Sequence, residues 1–160
     1  MDEPKTYTEA EAERFFAIQF NGKTWGLLDN SERRQEENEQ LIDYAHASLA
    51  HWRTAGTALH LQRGMWMLSH VYSVLGQAHP ALVYAGRCQE LTLQHKDLLQ
   101  DFDKAYAFEA LARAHALDGN REAARKYLLL AEEAGRFIQG EEDRKIFLGD
   151  FNAGEWYGLK

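Results

Sequence analysis

The chain has little of what cross-links a protein, interrupts helices or spans a membrane. Cys88 is the only cysteine, so an intrachain disulfide and a cysteine-rich zinc site are both excluded. The two prolines, Pro4 and Pro80, leave long stretches in which helices can run. No apolar run approaches the roughly 20 residues of a membrane span. The acidic start, MDEPKTYTEAEAERFF, differs from a secretion signal, so we expect a cytoplasmic protein without a membrane partner.

Basic residues are also scarce relative to acidic ones. The chain carries 18 Lys and Arg against 25 Asp and Glu, which gives a formal net charge of −7. Because affinity for phosphates depends on clustered Lys and Arg, we expect no nucleic-acid partner. With 160 residues, of which 45% are hydrophobic and 27% charged, the composition is typical of one globular domain. Such a domain can fold without a structural metal, and no cofactor is predicted.

Apolar residues recur at helical spacing along almost the whole chain, and alternating strand-like runs are absent, which predicts an all-α fold. Thr8 and Glu11 have the form of a capping box, and the helix they open is expected to run to about Phe20, where the sequence NGK breaks or kinks it. The other predicted helices run from Asn30 or Ser31 to Ala55, from Thr57 to Leu75, across Pro80 to His95, from Asp101 or Asp103 to the turn LDGN, from Asn120 to Gly140, and within 141–152.

An internal repeat relates the even-numbered helices. When the sequences LIDYAHAS, ALVYAGRC and AARKYLLLA are aligned, Tyr44, Tyr84 and Tyr127 coincide, 40 and 43 residues apart. Gly76 and Gly119 each close the preceding helix five residues before the aligned segment. A helix, a tight turn and a second helix therefore form the predicted repeating unit.

Residues 60–138 resemble tetratricopeptide repeats, and the spacing of 40 to 43 residues, against 34 in the common form, is similar to the long-repeat members. The matching residues are Leu68, Tyr72, Gly76, Ala81, Ala85 and Cys88 in one repeat and Leu111, Gly119, Ala124 and Ala131 in the next, with His115 in place of the tyrosine. The first repeat departs from the pattern, because Glu36 stands where the turn glycine belongs.

This resemblance implies a small stand-alone domain of bacterial type, built of antiparallel helical hairpins that stack as a short right-handed solenoid. Three hairpins and a capping helix are expected. The parts are a degenerate hairpin at 8–56, repeats at 57–97 and 100–139, a capping helix at 141–152 and a tail at 153–160. The tail, with Trp156 and Tyr157, is expected to cap the stack, and the alternative is that it occupies the groove.

In the tetratricopeptide family, the first helix of each hairpin lines a concave groove that holds a peptide or a partner protein. The resemblance maps this groove onto Arg63, Trp66, His70, Ser73, Tyr106, Glu109 and Arg113. An exposed indole beside arginines suits recognition, because guanidinium groups bind carboxylates through two hydrogen bonds. The alternative, which is equally weighted, is that Arg63 and Arg113 only form ion pairs with Glu109 or the acidic residues of the second helix and bind no ligand. The predicted function is a non-catalytic adaptor or scaffold with a protein or peptide partner, and a homodimer is plausible.

The alternative function is a small-ligand or metal-dependent enzyme site between the second and third helices, formed by His46, His51, Arg63 and His70. No two histidines stand three or four residues apart, the spacing that places two metal ligands on one helix face, so no metal is predicted. His46 and His51 are expected to be half-buried structural groups beside Trp52, and both Trp52 and Val74 are predicted to pack in the core.

Overall fold

The computed structural model describes residues 1–160 and contains seven α-helices and no strand, which confirms the all-α prediction. None of the helices combines the length and the hydrophobicity needed to cross a bilayer. The helices are α1 (Glu9–Leu28), α2 (Gln35–Ala55), α3 (Ala58–Val74), α4 (Ala78–Gln94), α5 (Asp101–Asp118), α6 (Arg121–Arg136) and α7 (Glu141–Asn152).

The predicted helix-end signals are present in the structure. The Thr8 hydroxyl accepts the Glu11 backbone N–H at 3.2 Å, and the Glu11 carboxylate accepts the Thr8 N–H at 2.9 Å, which completes the capping box. Gly76 and Gly119 follow α3 and α5 with φ angles of 73° and 83°. Because this left-handed region favours glycine, both turns depend on a residue without a Cβ atom.

The prediction that NGK ends the first helix at Phe20 is wrong, because α1 continues for two more turns. Glycine lowers the stability of a helix by about 1 kcal/mol relative to alanine, which is a small effect. Gly22 lies on a face of α1 where a Cβ atom would have no neighbour within 4 Å. The next turn is held by the buried Thr24, whose hydroxyl donates to the Phe20 carbonyl at 2.8 Å. Arg33 then donates to the Leu27 carbonyl at 3.1 Å and so satisfies the end of the helix. Packing against α2 outweighs the weak local break.

Two other predicted boundaries shift by about one turn. Helix α2 begins later than predicted, because the Asn30 side-chain oxygen accepts the Glu32 N–H at 3.0 Å and holds a turn instead. Helix α6 ends at Arg136, before the predicted end at Gly140, and the chain then turns to bury Ile138. Both differences come from contacts that compete with the last helical turn.

Consecutive helices pack in pairs, α1 with α2, α3 with α4 and α5 with α6, and each pair packs on the next. Helix α3 contacts α2 and α5, α4 contacts α5, and α7 contacts α5 and α6. The largest buried cluster lies between α2 and α3, and its members include Leu41, Ala45, Leu49, Met65, Met67, Leu68 and Val71. A second cluster lies under α7 and includes Ala112, Ala131, Ile138, Phe147, Phe151 and Trp156.

The three tyrosines of the sequence repeat have a common structural role, because each stacks on a ring of the helix before it. The pairs are Phe20–Tyr44 (centroids 5.7 Å apart), Tyr72–Tyr84 (5.8 Å) and His115–Tyr127 (5.6 Å). The repeat seen in the sequence therefore has a counterpart in all three pairs of helices. Phe20 in the first pair and His115 in the third occupy the position that Tyr72 has in the second.

The small residues of the repeat are buried, and Ala81, Ala85 and Cys88 are all inaccessible to solvent. Two side chains assigned to the core lie elsewhere. Trp52 is only half-buried and stacks on His60 with centroids 4.2 Å apart, because it lies at the end of α2 beside the turn. Val74 is exposed at the end of α3, where no helix covers it.

Candidate functional site

A cavity of about 530 Å³ lies between the odd-numbered helices and the C-terminal segment 153–160. We call it the indole cavity. Its helical lining comes from α1, α3, α5 and α7 only, and α2, α4 and α6 contribute nothing. The residues that define it are Trp25, Trp66, His70, Glu109, Arg113, Asp150, Glu155 and Tyr157, with Arg33 and Val74 at the rim. Of the seven predicted groove residues, it brings together Trp66, His70, Ser73, Glu109 and Arg113.

Trp66 is the centre of a stack of rings along one wall of the cavity. Its ring lies parallel to the His70 ring with centroids 5.0 Å apart. Trp25 from α1 stacks on Trp66 at 6.0 Å and lies tilted against His70 at 6.4 Å. The edge of Tyr106 packs against Trp66 at 5.4 Å. Trp66 is therefore half-buried rather than a free platform, and Trp25, which is 39% exposed, offers the accessible indole.

A buried ion pair forms the floor of the cavity. Glu109 and Arg113 are 3% and 6% exposed, and the Arg113 Nε donates to Glu109 Oε1 at 2.6 Å. The second carboxylate oxygen, Oε2, accepts the indole N–H of Trp66 at 3.1 Å. Burial raises the pKa of Glu109 above its ordinary value, and the guanidinium and the indole N–H oppose this effect. Both oxygens of Glu109 thus have partners within the chain.

Arg113 also holds the C-terminal segment in place. Its NH1 group donates to the Glu155 carbonyl at 2.9 Å, and NH2 donates to the carbonyls of Asp150 and Ala153 at 2.9 and 3.0 Å. The guanidinium also lies 4.0 Å from the centre of the Trp156 ring. Four of the five N–H groups of an arginine are therefore used inside the chain. Arg113 lines the predicted groove, but it has no free pair of N–H groups with which to bind a carboxylate of a ligand.

The C-terminal segment combines the two roles that the sequence offered as alternatives. Trp156 is buried against Phe147 and Phe151 and covers the apolar face that α5 and α7 would otherwise expose. The next residue, Tyr157, donates its hydroxyl proton to the Ser73 carbonyl on α3 and closes one side of the indole cavity. Capping and groove contact thus come from neighbouring residues.

His70 is the polar group of the cavity that has no partner. Its Nδ1 atom is buried and makes no hydrogen bond, although the ring is held by Trp66. Burial and, to a lesser extent, the positive charge of Arg113 lower the pKa of His70 to about 4, although Asp150 acts in the opposite direction. The imidazole is consequently neutral at pH 7, and its buried nitrogen has no partner within the chain.

Two carboxylates at the mouth of the cavity keep unused oxygen atoms. Asp150 accepts the Tyr106 hydroxyl on Oδ2 at 2.5 Å, and Glu155 accepts the Tyr157 backbone N–H on Oε1 at 2.7 Å. Both residues are exposed, and the other oxygen of each makes no hydrogen bond within the chain. Burial and the bond to Asp150 raise the pKa of Tyr106, so it remains a neutral donor.

Arg63 and Tyr106 lie outside the cavity lining, although both were predicted groove residues. The Arg63 guanidinium donates to the two carboxylate oxygens of the buried Asp103 at 2.9 and 3.0 Å. This pair joins α3 to the start of α5, where Asp103 also accepts the Gln100 N–H at 2.9 Å. Arg63 thus acts as a connection between hairpins, at a site separate from the rings.

The residues of the alternative enzyme site do not share a partner. His46 Nε2 lies 2.9 Å from the Tyr72 hydroxyl, and burial lowers the pKa of this histidine. His51 Nδ1 lies 2.6 Å from a carboxylate oxygen of Glu13 on α1. No group of three or more His, Cys, Asp or Glu side chains is arranged to hold a metal ion. Of the four residues, only His70 lines the indole cavity.

Sequence reasoning missed Trp25, Arg33, Asp150 and Glu155 as parts of the site. Trp25 was overlooked because the first helix was predicted to end at Phe20, before the indole could be placed on it. The pair Trp25 and Leu28, three residues apart, is a helical signal that could have located it. The two carboxylates carry no local signal, since their position depends on how residues 150–157 fold back on α5.

No protein-family model matches the chain, and no solved structure matches it significantly.

Proposed function

We propose that this chain is a non-catalytic interaction module, an adaptor or scaffold, that holds a segment of a partner protein in the indole cavity. The observation that carries the proposal is the pairing of an accessible indole, Trp25, with the unpartnered nitrogen of His70 in one cavity. Exposed tryptophans and buried polar groups without a hydrogen bond are both uncommon, because each is unfavourable in free energy. A ligand that covers the Trp25 ring and bonds to His70 would remove both unfavourable contributions.

The proposal includes the architecture that the resemblance implies, a short right-handed solenoid of three helical hairpins like that of tetratricopeptide repeats, with α7 as a capping helix. Two features support it. The cavity is lined by alternate helices only, as the concave face of such a stack would be. The tyrosine stacking repeats in each pair of helices. A cytoplasmic setting and self-association into a dimer belong to the same proposal.

A protein segment suits this cavity better than a compact ligand, because two of the apolar side chains that line it are also exposed to solvent. Val74 is 41% exposed at the rim and Trp25 is 39% exposed. The volume of about 530 Å³ accommodates one or two side chains. An extended chain could therefore place a side chain inside and cover the rim with its neighbours.

Photo-crosslinking from the rim tests the proposal. Val74→Cys is labelled with a benzophenone maleimide, returned to a lysate of the native cells and irradiated. The label reacts only at the new thiol, because Cys88 is buried and burial raises the pKa of its thiol. Leu129→Cys on α6, which is 64% exposed and outside the cavity, is the matched control.

We expect protein adducts at residue 74 that are absent at residue 129 and weakened when Trp25→Ala is added to Val74→Cys. Mass spectrometry identifies the adducts and the crosslinked residue. Equal labelling from both positions, or no protein adduct at residue 74, contradicts the proposal.

A further inference from the structure

The two carboxylates at the mouth of the indole cavity keep acceptor oxygens free, and His70 has a nitrogen without a partner. The free oxygens are one on Asp150 and one on Glu155, and the nitrogen is His70 Nδ1. In contrast, the donors of the floor are already used, because Trp66 donates to Glu109 and Arg113 donates to four acceptors of the chain. A ligand group that has several N–H donors and no acceptor complements this arrangement.

The charge of the cavity favours a cation. Glu109 and Arg113 neutralise each other in the floor. Two carboxylates, Asp150 and Glu155, then face one remaining guanidinium, Arg33, whose Nε and NH1 groups are bound to Asn38 and to carbonyls at the end of α1. The formal net charge of −7 for the whole chain acts in the same direction, since it attracts basic segments over a longer range.

The aromatic wall selects a flat cation. Tryptophan is the side chain that attracts a cation most strongly to its ring face, and guanidinium groups stack on such faces better than ammonium groups do. The same protein already contains this contact beside the cavity, where the Arg113 guanidinium lies 4.0 Å from the Trp156 ring centre. Trp25 is a more exposed indole than Trp156, and no arginine of the chain lies on it.

From these observations we infer that the indole cavity binds the side chain of an arginine in the partner segment, with the guanidinium stacked on Trp25 and hydrogen-bonded to Asp150 or Glu155. The neutral ring of His70 can accept a further N–H of the same group. Lysine would satisfy the charge, but its ammonium is more strongly hydrated and has no flat face to stack. This inference deepens the proposed function and rests on it.

Matched peptides test the inference on the full chain. The probe is the capped pentapeptide acetyl-Gly-Ser-Arg-Ser-Gly-amide, followed by ¹⁵N NMR through the indole N–H signals of Trp25 and Trp66. Peptides with lysine, citrulline or glutamate in place of arginine are titrated in parallel. Citrulline keeps the shape and loses the charge, so it should bind about tenfold more weakly than arginine, lysine should bind at an intermediate strength, and glutamate should not bind.

Variants locate the binding on the cavity. Trp25→Leu keeps an apolar side chain and should weaken the arginine peptide about fivefold, whereas Phe15→Leu, exposed on the same helix but outside the cavity, should leave binding unchanged. Glu155→Gln should weaken it by a similar factor, with the exposed Glu142→Gln on α7 as its control. Thermal melts of all four variants show that the fold is retained.

The inference is overturned if citrulline binds as well as arginine, or if neither Trp25→Leu nor Glu155→Gln weakens binding. It is also overturned if the lysine peptide binds as tightly as the arginine peptide, because the cavity would then not select a flat cation. Crosslinked protein adducts at residue 74 without any arginine preference would leave the proposed function standing and remove only this inference. Arginine-peptide binding without such adducts would remove the proposed function.

Discussion

Glu109–Arg113 on α5 and Glu132–Arg136 on α6 are the same local pair, a glutamate four residues before an arginine, in opposite surroundings. The first pair is buried and bonded to the C-terminal segment, whereas the side chains of Arg136 and Glu132 are 69% and 39% exposed. Helical spacing cannot distinguish them. Their energetic contributions should differ widely, because an unpaired charge is costly only where water cannot reach it.

We therefore predict that Arg113→Ala lowers the free energy of unfolding by about 3–5 kcal/mol, since it leaves the Glu109 carboxylate buried and uncompensated. Arg136→Ala, the matched control, should change it by less than about 1 kcal/mol. Urea denaturation followed by circular dichroism measures both. Equal effects from the two variants would show that the buried pair has no special role in stability.

His70 should make the stability of the protein depend on pH. Its pKa is about 4 in the folded chain against an ordinary value of 6.5, so the unfolded chain binds the proton more readily. The stabilisation is fully present above pH 6.5 and is lost as the pH falls towards 4. The charged groups that act on the ring are Arg113, which favours the neutral form, and Asp150, which opposes it.

The corresponding prediction compares unfolding at pH 7.5 and pH 5.0 by urea titration. His70→Phe keeps the stacking on Trp66 and cannot bind a proton, so it should lose less stability over this interval than the natural chain does. His79→Gln, a change of an exposed histidine, is the control. If His70→Phe and the natural chain lose the same stability, His70 does not contribute to the pH dependence.

At the scale of helices, close approach depends on small residues at particular positions of the repeat. Ala85 on α4 is fully buried in a cluster with Ala110 and Ala114 on α5, whereas its neighbour Gly86 points into open space. At Gly135 on α6 an added Cβ would come within 2.3 Å of the Phe147 ring, so α7 also rests on a position without a side chain. Helix separation in this fold is set by such sites.

Adjacent substitutions on α4 should consequently have opposite effects. Ala85→Leu should destabilise the protein by about 1–3 kcal/mol through overpacking against α5, and Ala124→Leu, fully buried at the start of α6, should behave similarly. Gly86→Ala should stabilise it by about 0.5–1 kcal/mol, because alanine favours the helix and meets no neighbour. Melting temperatures show whether each substitution stabilises or destabilises the protein. If neither leucine variant changes the melting temperature, the alignment of the repeats is wrong.

At the scale of the whole molecule, the C-terminal segment joins the last helices to the cavity. Trp156 covers the cluster under α7, Tyr157 reaches α3, and Arg113 holds three carbonyls of residues 150–155. Tyr157 has a φ angle of 53°, which is unfavourable for a residue with a Cβ atom, so these contacts must outweigh a local cost. The segment therefore belongs to the folded unit.

Deletion of residues 153–160 should lower the free energy of unfolding by about 3–5 kcal/mol, the cost of removing a buried tryptophan, and Trp156→Ala should reproduce most of it. Deletion of the exposed residues 1–5 at the other end is the control and should change it by no more than about 0.5 kcal/mol. Chemical denaturation of the three variants provides the measurement. Equal effects of the two deletions would contradict a structural role for the segment.

The features that sequence reasoning predicted correctly are those with local causes. The capping box at Thr8 and the left-handed glycines at positions 76 and 119 follow from neighbours within a few residues. The end of α1 was missed because its cause is not local, since contacts with α2 and the guanidinium of Arg33 extend the helix past Gly22. Of the predicted groove residues, Arg63 and Tyr106 lie outside the indole cavity and bond to Asp103 and Asp150, which are 40 and 44 positions further along the chain.

The amino-acid sequence by itself determined the all-α class, the pairing of helices and the repeat of 40 to 43 residues, because helical periodicity, caps and turn glycines act over short distances. Only the tertiary structure decided which groups of the indole cavity are free. Glu109 and Arg113 could have been ligand-binding groups, but residues about 40 positions along the chain fold back and occupy Arg113. Availability to a ligand depends on burial and on distant partners, which periodicity does not encode.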